Sequence, residues 1–84
     1  MSKYPIISGK RLIKALIKEG YIMYKGRRGK LGKGSHISMK HPNNNNIITI
    51  VPNTSKDLTK GLLSTIRRQL NLNKEEFFKI LSNS

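Results

Sequence analysis

The stretch Lys25 to Pro42, KGRRGKLGKGSHISMKHP, sets five cations and four glycines directly in front of a histidine. Cationic side chains attract phosphate, and glycine lets the backbone come close to a phosphate chain. Lys25, Arg27, Arg28, Lys30 and Lys33 are therefore candidate contacts to a nucleic-acid backbone. His36 stands where this loop passes into a strand, and its ring exchanges protons near neutral pH. Positive charge nearby disfavours imidazolium, so the ring is expected to be neutral until phosphates offset the cations. A base so placed suits removal of a proton from a ribose 2′-hydroxyl, which then attacks the neighbouring phosphodiester. Help of this kind is worth roughly 10²–10⁴-fold, and the cations add a favourable field for the developing phosphorane charge. Ser35, Ser38 and Lys40 are neighbours suited to hold the scissile phosphate.

Two other phosphate chemistries are disfavoured by spacing and by acid count. Gly29 and Gly34 stand five apart, as in a phosphate-binding P-loop, but Ser35 follows where a lysine is required. A two-metal nuclease needs several convergent carboxylates, and the chain has only Glu19, Asp57, Glu75 and Glu76. The two adjacent glutamates open a helix, where capping and the helix dipole account for them. No metal and no small-molecule cofactor is expected, and a nuclease of this composition should need the 2′-hydroxyl of RNA.

These side chains must be held by a small scaffold. The 84 residues give room for one core, and the 36% apolar content falls in spaced clusters as a folded chain requires. Ser8 is placed to cap a first helix over about 9–19, whose Leu12, Ile13, Leu16 and Ile17 recur at helical spacing before Gly20 ends it. Tyr21–Tyr24 reads as a first strand, Ser35–His41 as a second, and Ile47–Val51 as a third stopped by Pro52. Pro42 and the four asparagines after it read as the turn between the last two. A second helix carries Leu62, Leu63, Ile66 and Leu70, and a third starts at Asn73 with Glu76 in capping-box position. The expected architecture is α+β, in the order α-β-β-β-α-α, with a three-stranded antiparallel sheet covered on one face by helices.

Strand alternation then assigns faces. Ile37 and Met39 are expected under the helices, and His36, Ser38 and Lys40 on the open face. His41 falls in phase with Ile37 and Met39, so a structural role is expected for it.

The charge balance names the partner class. Seventeen Lys and Arg against four acids give a formal net charge of +13, which favours a polyanion, with an acidic protein as the second choice. With no cysteine, disulfides and thiolate metal sites are excluded. The longest apolar run, IITIV, is far short of the ~18 residues of a membrane span. The N-terminus has no apolar core of the secretory type, and a cytoplasmic location is expected.

Four segments in order resemble the HicA-type mRNA interferase toxins. SGKRLIKALIKEGY resembles their first helix, and KGSHISMKHP their G-S-H strand, which commonly ends in His-Pro. TIVPN and KDLTKGLLSTIRRQL are similar to their third strand and the helix that follows. The resemblance spans about residues 8–81 and implies one domain over 1–84, with the basic glycine-rich loop 25–34 set into it. It implies a fold like the double-stranded RNA-binding domain, a catalytic histidine at His36, and a HicB-type antitoxin that covers the active surface. Three features depart from the family pattern. RRGKLG lengthens the connection before G-S-H, Asn53 and Thr54 stand where many members have a second histidine, and asparagines fill a turn that is commonly shorter.

The expected function is a metal-independent endoribonuclease cleaving mRNA. The competing readings are a non-catalytic RNA-binding module, with Arg27, Arg28, Lys30 and Lys33 as a phosphate clamp, and a purely partner-binding protein.

Overall fold

A computed structural model describes residues 4–24 and 36–82. Its elements are α1 (Gly9–Lys18), β1 (Ile22–Tyr24), β2 (His36–His41), β3 (Asn44–Pro52), α2 (Lys60–Gln69) and α3 (Lys74–Ser82). This is the expected α-β-β-β-α-α order.

Local chemistry sets most of the boundaries. The Ser8 hydroxyl accepts from Arg11 N at 3.3 Å and starts α1. Gly20, at φ +100, takes the left-handed conformation open to glycine, so Tyr21 N–H can donate back to Leu16 O and reverse the chain. Thr59 caps α2 through Leu62 N at 3.1 Å. At α3 both halves of the capping box form: Glu76 N–H donates to Asn73 Oδ1 at 2.7 Å, and Asn73 N–H donates to Glu76 Oε1 at 3.0 Å.

The sheet is antiparallel in the order β1-β2-β3. Two expectations are corrected here. Tyr21 precedes the first strand rather than belonging to it, because its N–H is engaged in ending α1. The asparagine run is not a long turn: Pro42 and Asn43 alone make the reversal, and Asn44–Asn46 are strand. His41 pairs with Asn44 across a register shift after Lys40, so cross-strand pairing overrides the turn preference of asparagine.

One face of the sheet is buried under the helices. Ile37, Met39, Thr49 and Val51 from the strands meet Leu12, Leu16, Leu63, Ile66, Leu70 and Phe77 from the helices. Burying each large apolar side chain stabilises the fold by about 1.5–3 kcal/mol. Thr49, the buried polar residue of this face, donates its hydroxyl proton to Gln69 Oε1 at 2.5 Å. Tyr4 packs edge-on against Phe77 and Phe78, and its hydroxyl accepts from Arg67 Nε at 2.9 Å. Arg67 also donates to Leu72 O, so this cation, outside the apolar stripe of its helix, ties the N-terminal segment to the α2–α3 connection.

The start of α1 is locked onto the end of β3. Lys10 N–H donates to Thr54 O at 3.0 Å, and Leu58 N–H to Ile7 O at 2.9 Å. A Cβ added at Gly9 would stand 1.8 Å from the Pro52 carbonyl oxygen, so only glycine fits there. Pro52 is in turn the cross-strand partner of His36.

Candidate active site

His36 is the first residue of β2, and its side chain is exposed. The burial pattern along this strand alternates, with Ile37 and Met39 inside and His36, Ser38 and Lys40 on the open face. At about 3.3 Å per residue these three form a polar column roughly 13 Å long. Register adds neighbours on both sides. Lys40 lies between Ile22 of β1 and Ile48 of β3, Ser38 between Tyr24 and Ile50, and His36 beside Pro52. Lys40 Nζ donates to Asn45 Oδ1 at 3.3 Å. The three strands contain no aspartate or glutamate, so nothing in them opposes an approaching anion.

The other candidate contacts, Lys25, Arg27, Arg28, Lys30, Lys33 and Ser35, lie outside the described residues. The structure therefore brings His36, Ser38 and Lys40 onto one face.

The far end of β2 is built differently. His41 is half-buried, its Nδ1 accepts from Asn43 N–H at 3.0 Å, and its ring meets Tyr21 edge-on at 5.6 Å. The two rings line a cavity of about 350 Å³ together with Glu19, Leu72, Glu76 and Ile80. Burial pushes the Tyr21 phenol above its ordinary pKa, and the carboxylates of Glu19 and Glu76 push the same way. Three of the four acids thus stand at this end, since Glu75 neighbours Glu76 in the first turn of α3. Among the described residues no group of three His, Asp or Glu side chains converges as a metal site. No described helix is long and apolar enough to cross a membrane.

Two features escaped the sequence reading. The first is the trio Ile22, Ile48 and Ile50, exposed on the same face as His36. Its signal was present in YIMY and IITIV, since successive residues of a strand face opposite sides. The second is Gly9, whose close approach to Pro52 joins positions 43 residues apart and has no local signature.

The family model described as the HicA toxin of bacterial toxin–antitoxin systems matches residues 9–72 of the 84. The match runs from the start of α1 to the connection before α3, and so takes in the whole sheet and both ends of β2. No curated protein matches the chain.

Proposed function

Since the chain belongs to the HicA toxin family of bacterial toxin–antitoxin systems, we propose that it is a metal-independent endoribonuclease acting on mRNA, with His36 as its general acid–base. One observation supports this reading: His36 is exposed in line with Ser38 and Lys40 on a sheet whose strands carry no aspartate or glutamate. His36 takes the proton of a ribose 2′-hydroxyl. The 2′-oxygen attacks the adjacent phosphorus, the bond from phosphorus to the 5′-oxygen breaks, and the leaving oxygen gains a proton. The products are a 2′,3′-cyclic phosphate and a free 5′-hydroxyl. Lys40 and the loop cations Lys25, Arg27, Arg28, Lys30 and Lys33 hold the phosphates, while Ser35 and Ser38 orient the one being cut. A preorganised cation beside the developing charge favours the transition state over the ground state.

The partner in this reading is a HicB-type antitoxin that covers the open face, and the site of action is the cytoplasm. An acidic, occluding partner suits a chain of net charge +13.

Purified protein incubated with RNA in excess chelator tests the chemistry. Cleavage should persist and leave cyclic-phosphate ends, and His36→Ala should lower it by roughly 10²–10⁴-fold while the fold and much of the RNA affinity remain. Cleavage that stops with chelator, or continues at the parent rate in His36→Ala, would overturn the mechanism. Binding without turnover in the parent protein would leave an RNA-binding module.

A further inference from the structure

Six large apolar side chains are exposed among the described residues, and three of them, Ile22, Ile48 and Ile50, share the open sheet face with His36. Single exposed apolar residues are ordinary. Ile48 and Ile50 adjoin on one face of β3, with Ile22 across Lys40 from them, and apolar surface gathered on one face is a candidate binding surface. Ile50 is the most open of the three at 53%, and it lies diagonally across the strand pair from His36, two residues along β3 from Pro52. Diagonal neighbours of this kind stand about 7–8 Å apart.

The arrangement has two parallel parts. Donor-bearing side chains run down β2, and isoleucines run beside them on β3, with Ile22 on the other flank. A ribonucleotide strand has the same division, with its charged backbone on one side and its flat bases on the other. A strand laid with its phosphates along His36, Ser38 and Lys40 would bring the base next to the scissile bond over Ile50. Apolar side chains receive bases this way, by covering the ring faces. A protein partner would also cover isoleucines. The interleaved donors and the absence of acid from the strands favour a nucleotide as the occupant.

We infer that Ile50, supported by Ile48, is a base platform that determines where this protein cuts RNA. The inference rests on the nuclease reading for its substrate, and it adds the residue that reads it. The platform makes no hydrogen bonds, so it discriminates by ring area, and purines should be preferred there over pyrimidines.

The test combines Ile50→Ser with RNA lacking one base. In the slowly cleaving His36→Ala background, Ile50→Ser should weaken binding of a short RNA about tenfold, as loss of one base contact does. The slope of log affinity on log salt should stay unchanged, because no phosphate contact is removed. Removing the base at one position of the RNA should erase the difference between the two proteins. With His36 intact, Ile50→Ser or Ile48→Ser should level the purine preference at the cut, while Ile17→Ser on α1 should leave it alone. Equal weakening on intact and base-free RNA would overturn the platform. So would unchanged binding and cut sites, including the case where only antitoxin affinity falls. If the parent protein binds RNA with this base dependence but never cuts it, the nuclease reading and the cut-site role fail, and the base platform stands as a binding site. If it binds no RNA, both fail.

Discussion

The two histidines of β2 stand five residues apart on one strand, yet they live in opposite surroundings. His36 is exposed on a sheet whose strands carry no acid, on the same face as Ser38, Lys40 and a row of isoleucines. His41 is held from two sides, by the Asn43 amide at Nδ1 and by the Tyr21 ring, at the end where Glu19 and Glu76 gather. A half-buried ring on a crowded edge closes a turn. A ring facing outward among donors can meet a substrate. The same side chain stands in opposite surroundings according to strand phase and neighbours, and the reactive role proposed for this strand goes to the exposed one.

The contrast can be broken most directly by exchanging which histidine is lost. His36→Ala should reduce RNA cleavage by roughly 10²–10⁴-fold with little change in melting temperature. His41→Ala should do the reverse, costing about 1 kcal/mol of stability through the lost Asn43 and Tyr21 contacts while cleavage persists. Comparable loss of turnover in both would erase the distinction drawn between the two ends.

A change in packing, away from both rings, sharpens it. Gly→Ala inside a helix ordinarily stabilises by about 0.5–1 kcal/mol. Gly9→Ala should instead destabilise by about 1–3 kcal/mol or more, because the new methyl meets the Pro52 carbonyl rather than a flexible side chain. The disturbance should reach His36 through Pro52 and leave His41 quiet. Histidine ring resonances in the variant would show this, and equal shifts at both rings would contradict it.

The smallest expected effect is confined to the His41 end. The Tyr21 phenol has its pKa raised above 10.0 in the folded chain, by burial first and then by Glu19 and Glu76. The unfolded chain therefore sheds this proton earlier, and the stability present below about pH 10 declines as pH climbs through the folded value. Tyr21→Phe should flatten that alkaline decline in denaturant melts. A variant as alkali-sensitive as the parent would remove Tyr21 from the account.

What could be read from the residues alone follows the range of the forces involved. Ser8 capping α1 and the Asn73–Glu76 box are contacts over three residues, and both form as their spacing indicates. The placing of His36 outward and Ile37 inward is equally local, since the pleat dictates it. The asparagines misled because their turn preference is weak beside pairing with a neighbouring strand, which took Asn44–Asn46 into β3. Ile50 was hidden for a related reason: a run apolar on both faces marks a strand without saying which side stays uncovered. Gly9 was beyond reach, because its constraint comes from a carbonyl that only the folded chain brings near.

That tight seam between the first helix and the last strand has a consequence for genetics. Under the proposed nuclease activity, cells rescued from expression of this chain should include survivors altered at position 9, although that buried glycine offers no side chain to a substrate. Such survivors would lack intact protein, whereas those altered at position 36 would accumulate it. A map of tolerated changes read without this sorting would promote a packing constraint to a reactive group.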